Sequence, residues 1–318
     1  MLWDTKLSKC SIHLILCGSI LSMIQSEVLN YQAPLYGRRT SSLHIKPIRF
    51  THIKEFLPKV DKLTQMYIYA SFGTIPKYLL EYDEEKKFFE NIEEKILNKN
   101  SYLYSEGNFL LKDEIGESAS YFNILQAISN GNRKIGHIAS TLGVTSSYLS
   151  KYMLKLLELG IIEKEVPITE TNPSKSKLGL YRIKDKFLHF WFYYVYKNYS
   201  YLEIEQTKIV LDEIEKNFND RFVAFAFEDF VLEDLQENPM KYITFQPKKI
   251  GRWWNKHNEI DIVAIDDENV VFIECKWQES VDKEVVKQKL IQKSKGLYED
   301  KKAYFLVVTK EEYLNNQT

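Results

Sequence analysis

The chain has 318 residues, 44% of them hydrophobic, and a formal net charge of −1. A chain this long predicts roughly two to four compact units, and its apolar content excludes global disorder. Near-neutrality excludes an overall basic nucleic-acid binder, so any DNA contact must come from local patches. Three cysteines (Cys10, Cys17, Cys275) and six histidines are scattered without ligand spacing, which argues against a zinc site and fits reduced thiols in a cytoplasmic protein.

The N-terminal apolar run from Ile12 to Ile24 contains Gly18, Ser19 and Ser22. It is too short to span a bilayer, so no membrane partner is expected. Lys6 and Lys9 precede it as in a signal peptide, but the following Ala33-Pro34-Leu35-Tyr36-Gly37-Arg38-Arg39-Thr40 does not read as a cleavage region. Residues 11–17 read as a buried strand, with Ser19 capping a helix to about Asn30. Leu43-His44-Ile45-Lys46-Pro47-Ile48 alternates as a second short strand, halted by Pro47. From Thr51 to about Leu111 the pattern is helical, with Pro76 in the first turn of one helix.

Residues 118–159 have helix-turn-helix spacing. The stripe Tyr121, Phe122, Ile124, Leu125, Ile128 stops at Asn130-Gly131, Ile135–Leu142 is a short second helix closed by Gly143, and Thr145 caps a third that ends at Gly160. Residues 161–166 and 180–183 read as two strands around the turn-rich basic tip Thr171–Lys177. Three helices and a hairpin are the winged-helix arrangement. Its exposed positions Tyr148, Lys151 and Lys155 on the third helix, and Lys175 and Lys177 on the wing, are candidates to touch nucleic acid. Arg133 and Lys134 precede the second helix as further candidates.

Residues 185–201 are dense in aromatics, and residues 218–235 form an amphipathic helix carrying Glu228. Strands are expected at 242–245, 252–254, 259–265 and 270–275, a helix at 283–298 and an apolar strand at 303–309. The order suits an α/β sandwich. Here the chemistry concentrates. Asp261 stands in Glu259-Ile260-Asp261-Ile262-Val263-Ala264 on one strand, Ile273-Glu274-Cys275-Lys276 on the next, and Asp266-Asp267-Glu268-Asn269 turns between them. Phosphodiester cleavage needs an activated water and neutralisation of charge on phosphorus, which Mg²⁺ bound by hard oxygens can supply. Asp261, Glu274 and the Cys275 carbonyl are candidate ligands. Lys276 is a candidate to orient the water or stabilise charge, and Glu228 to complete the shell. Glu259, two before Asp261, is expected on the same strand face. The acids after Ile265 also mimic a Walker B strand, but no glycine begins Gly-Lys-Ser or Gly-Lys-Thr, so that reading is set aside.

The pieces Leu16-Cys17-Gly18-Ser19, Ala33 to Thr40, Phe72-Gly73-Thr74-Ile75-Pro76, Phe187 with Phe190-Trp191-Phe192, Phe227-Glu228 and the 259–277 cluster occur together in one order. In this the chain resembles a family of archaeal ATPases of the AAA+/STAND type: a P-loop core, a helical lid, a winged helix and a restriction-endonuclease-like domain with a PD-(D/E)xK-type site. The resemblance implies an α/β and α+β multidomain fold: a remnant of the ATPase core over 1–50, the lid over 51–115, the winged helix-turn-helix over 116–184 and the nuclease-like sandwich over 185–318. It also implies an ATP-driven switch coupled to DNA handling. The chain departs by starting near the family's sensor strand, without the P-loop half. Gly18-Ser19 would then be the sensor turn, and ATP would bind only if an upstream P-loop polypeptide supplied the rest; that polypeptide, or a second copy of the chain in a homo-oligomer, is the protein partner to expect. Arg38 and Arg39 would face phosphates in the complete site, or act here as a surface anion contact. Two readings stay open: a DNA-binding protein with Mg²⁺-dependent nuclease potential, and a non-catalytic regulatory or partner-binding module.

Overall fold

A computed structural model describes residues 5–15, 17, 18, 31, 36, 40–43, 45–115 and 119–315. The main elements are α1 (Lys62–Ser71), α2 (Tyr102–Ile115), α3 (Ala119–Ser129), α4 (Ile135–Leu142), α5 (Ser146–Glu158), β1 (Ile162–Glu165), β2 (Leu180–Ile183), α6 (Lys186–Phe190), α7 (Thr207–Phe218), α8 (Ala224–Glu237), β3 (Lys249–Trp254), β4 (Glu259–Ile265), β5 (Asn269–Lys276), α9 (Lys283–Lys293), β6 (Lys302–Thr309) and α10 (Lys310–Asn315). Among the described residues the fold is mixed α/β with two small sheets: the antiparallel pair β1–β2, and β3-β4-β5-β6 in spatial order. In the larger sheet β3, β4 and β5 are antiparallel neighbours and β6 runs parallel to β5. The parallel pair requires a crossover, and α9 provides it.

Local chemistry explains the boundaries. Asp61 accepts from the Thr64 amide (2.7 Å) to start α1, Thr145 from Tyr148 (3.2 Å) to start α5, and Asp282 from Val285 (3.1 Å) to start α9. Gly143, at φ 65°, closes α4 in the left-handed region that a side chain resists. The aromatic stretch after α6 is buried on all sides, with Phe190, Trp191, Phe192 and Tyr194 fully enclosed, as expected of a helix inside a core. The Trp191 indole donates to the Tyr104 carbonyl at 2.8 Å. Its ring lies flat against Gly107 of α2, where an added Cβ would sit 2.3 Å from Cδ2.

One continuous core runs from Phe50 through the helices to Tyr313. It joins α1 to the C-terminal sheet across residue 184: Tyr313 donates to the Lys62 carbonyl (2.9 Å), and Tyr69 donates to Glu233 on α8 (2.8 Å). A second, smaller cluster of Trp253, Ile260, Val263, Val270, Phe272 and Leu290 packs α9 on the sheet's other face.

Three expected strands are not formed. Residues 11–15, 17, 18, 41–43 and 45–48 carry no strand, and Ile12, Leu14, Ile15, Leu43 and Ile45 are exposed. Alternation makes a strand only where a neighbour takes its backbone hydrogen bonds, and among the described residues these segments join no ladder; the Ile48 amide makes a single bond to the Thr74 carbonyl at 3.1 Å. Residues 242–245 instead follow a 3₁₀ turn, Pro239–Lys241. Asp234 gathers Lys241, Tyr242 and Asn238 side chains at 2.6, 2.6 and 3.0 Å and fixes the turn. The helix expected after Ser19, and Arg38 and Arg39, lie outside the described residues.

Candidate functional site

Asp261, Glu274, Lys276 and Glu228 meet at one end of the larger sheet. A bulge does part of the positioning. Gly251 pairs with Val263 and Trp253 with Ile260, so two steps on β3 face three on β4. The extra residue falls at Asp261–Ile262, and a bulge re-aims the side chain it carries. Asp261 Oδ2 accepts from the Cys275 amide at 2.8 Å, tying β4 to the end of β5. A strand residue directs its N–H and C=O to the same edge, so the Cys275 carbonyl faces Asp261 as well. Cys275 is not the last strand residue, as expected from sequence, because β5 continues through Lys276 opposite Thr309.

Lys276 Nζ donates to Glu274 Oε1 at 2.8 Å, and Lys293 on α9 reaches both Glu274 oxygens at 3.0 and 3.1 Å. Burial, then the charge of Glu274, pushes the Asp261 carboxyl up to about 6, against the Cys275 amide, Lys276 and Arg252. Burial, then the charge of Asp261, pushes Glu228 up to about 8 against its ion pair with Arg252. Burial alone would lower the Lys276 ammonium, but Glu274, Asp261 and Glu228 outweigh it and raise it. Burial, then Asp261 and Glu228, raises the Cys275 thiol well above its ordinary value, so it is held neutral and unreactive. Glu228 and Asp261 therefore resist ionising together, and a cation would favour their charged forms. The site does not hold a ready-made ligand shell. Among the described residues no three His, Cys, Asp or Glu gather as one, and the two lysines occupy Glu274.

A second cluster adjoins the first. Asp229, next to Glu228 on α8, accepts from Arg182 Nη1 (2.8 Å) on β2, Lys186 Nζ (2.7 Å) on α6 and Arg252 Nη2 (2.8 Å) on β3. Burial would raise Asp229, but Arg182, Lys186 and Arg252 together hold it well below the usual carboxylate range. Glu165 on β1 takes Arg133 at 2.5 Å and Arg182 at 3.3 Å. This network joins the β1–β2 hairpin to α8 and β3. Between them lies a cleft of about 320 Å³ with Glu228, Asp261 and Glu259 on its wall. The bulge falls after Asp261, so Glu259 shares the cleft wall with Asp261 as expected, but Glu259 is exposed.

The candidate nucleic-acid residues Tyr148, Lys151, Lys155, Lys175 and Lys177 do not line this cleft, whereas Arg133 does. Lys151, Lys175 and Lys177 are exposed and Lys155 is half-buried. Tyr148 is 44% exposed; its hydroxyl is 3.0 Å from that of Tyr152, and Lys151 Nζ lies 4.8 Å from the Tyr152 ring centre. Arg133 is not free on the surface, because Glu165 holds it. Asp229, Arg252 and Arg182 were missed in the sequence, where the signals were the adjacent acids Glu228-Asp229 and an arginine between Gly251 and Trp253 in an otherwise apolar strand. No helix among the described residues is long and apolar enough to cross a membrane.

Fold and site together define a mixed α/β protein with a buried carboxylate–lysine cluster beside a charged cleft. A family model, DUF234, described as archaeal and bacterial proteins of unknown function, matches residues 191–289, a span containing Glu228, Asp261, Glu274 and Lys276. An uncharacterized protein of Methanocaldococcus jannaschii is 39% identical over 324 residues, covering 98% of this chain and 71% of the relative. The chain belongs to the family of that archaeal protein. No solved structure matches it.

Proposed function

We propose that the protein binds DNA through α3–α5 and the β1–β2 hairpin, acting as a winged helix, and that residues 185–318 form a restriction-endonuclease-like domain with a nuclease-type site. The observation that carries the reading is that Asp261, Glu274 and Lys276 come together next to Glu228, with Glu228 and Asp261 on a cleft wall. Asp261 and Glu228 are the residues to hold Mg²⁺, with the Cys275 carbonyl beside them; the ion would supply Lewis-acid activation of water and neutralise charge on the phosphate. Lys276, kept protonated by three carboxylates, stabilises charge developing on the phosphate oxygens. Arg252 holds Glu228 in position. The relation to AAA+/STAND ATPases belongs to the same proposal: ATP binding would require an upstream P-loop polypeptide.

The test is cleavage of DNA by the purified chain in Mg²⁺ or Mn²⁺, with Asp261→Ala and Lys276→Ala. Each change should lower cleavage by about 100-fold or more, the scale of losing one electrostatic stabiliser. Cleavage that survives both changes would sink the assignment. One observation favours a second reading, a non-catalytic module that binds nucleic acid or a partner: Glu274 already holds Lys276 and Lys293. Under that reading DNA binding persists while no metal restores cutting.

A further inference from the structure

The cleft has a property that the acid cluster alone does not require: aromatic side chains stand among its charged lining. Phe225, Phe222, Tyr193 and Trp254 line it. Phe225 is 52% exposed although it is a large apolar side chain. The Trp254 indole is anchored by donating to the Leu178 carbonyl on the hairpin tip at 3.0 Å. Lys184 and Arg221 are exposed on the same lining, and among the described residues neither is held by a carboxylate; Arg221 rests on the Tyr193 ring at 5.6 Å. Arg252 also lines the cleft, and among the described residues its buried Nε has no hydrogen-bond partner, with Glu165 Oε1 at 3.7 Å.

Aromatic faces interleaved with unpaired cations suit a nucleic-acid strand whose bases are unstacked, with rings taking bases and cations taking phosphates. Size decides between strand and duplex. At about 320 Å³ the cleft is at the small end of the roughly 300–1,000 Å³ range of pockets that enclose one small molecule. A double helix, whose major groove alone is about 12 Å wide, does not enter such a space. Yet Glu228 and Asp261 are on its wall, so a phosphate that reaches them must come on a displaced strand.

We propose that the cleft receives an unpaired nucleotide, and that the substrate offered to the acid cluster is single-stranded DNA, as a frayed end, flap or gap. The choice of substrate rests on the nuclease-type reading above; the binding itself does not.

The experiment measures fluorescence anisotropy of the full chain with a labelled short oligothymidylate and with a blunt duplex of the same length, in EDTA. The single strand should bind more tightly by about tenfold or more, and Phe225→Ala should weaken it by about tenfold, the scale of losing one stacked base. Phe225→Tyr should restore it. Arg221→Ala should weaken single-strand binding and reduce its salt slope by about 0.7. Both positions are exposed, so the variants should melt as the wild type does. Equal affinity for duplex, or single-strand binding indifferent to Phe225→Ala, overturns the inference. A cleavage arm in Mg²⁺ or Mn²⁺ separates it from the earlier reading. Cutting of flaps but not of closed circular duplex supports both. Cutting of closed duplex overturns the inference and leaves the nuclease. No cutting, with Phe225-dependent strand binding, supports the nucleotide-binding cleft and removes the nuclease together with the choice of substrate.

Discussion

Replacing Asp229 by alanine leaves Arg182, Lys186 and Arg252 facing one another without the carboxylate they share. Three charge-assisted hydrogen bonds of 2.7–2.8 Å disappear, and such bonds contribute roughly 1.5–3 kcal/mol each. The full sum is not expected, because Glu163 and Glu165 remain near Arg182 and Glu228 near Arg252. The loss should instead match that of breaking a buried ion pair by removing one partner, about 3–5 kcal/mol. Asp229→Asn keeps an oxygen for the two arginines but not the charge, and should lose about half as much. The assay is urea denaturation followed by circular dichroism across a range of pH. The three cations hold the Asp229 pKa well below its unfolded value. Its contribution is therefore fully present above about pH 4 and fades only as pH falls further toward the folded value. The wild-type advantage over alanine should thus be flat from about pH 8 to 5. A loss under about 0.5 kcal/mol, the range of ordinary surface substitutions, would refute the reasoning. So would an advantage that disappears between about pH 7 and 5.

Glu228 predicts the opposite slope. With its folded pKa raised to about 8, its stability contribution is complete below the unfolded value of about 4.3 and is lost as pH rises through 8. Glu228→Gln should remove that slope and be the more stable form at alkaline pH, read as a higher urea midpoint; parallel pH profiles would contradict it. Gly107→Ala would push a Cβ to 2.3 Å from the buried Trp191 ring, costing about 1–3 kcal/mol of overpacking, and an unchanged thermal melt would refute the contact. Lys151→Glu and Lys155→Glu should weaken duplex DNA binding and each reduce the salt slope by about 0.9; an unchanged slope would mean that α5 does not contact phosphate.

Where local signals agree, the chain is legible from its residues. The capped stripe of α5, closed by Gly160, and the apolar runs of β4, β5 and β6 form where expected. These segments carry their own start, period and stop. The N-terminal apolar residues do not, because a strand is defined by its partner and the partner is not written in the segment. Residues 242–245 misled for a related reason: Ile243 and Phe245 are buried as strand residues would be, yet Asp234, on the preceding helix, sets their backbone. At the site, residue types were enough to single out Asp261, Glu274 and Lys276. The bulge at Asp261 and the claim of Lys293 on Glu274 were not legible, since one depends on pairing register and the other on where α9 packs. The Asp229 hub joins residues 182, 186, 229 and 252, and no local pattern links such distances.

That hub also has a geometrical meaning. It bolts the hairpin that follows α5 to the helix bearing Glu228, so the surface that would grip a duplex and the wall that would meet a strand keep one fixed offset. Under the proposed function such a protein would measure: the position of a cut would be set by where the grip lies, a constant number of nucleotides away, whatever the sequence at the cut. Loosening the bolt at Asp229 should blur that spacing before it abolishes either grip or cut.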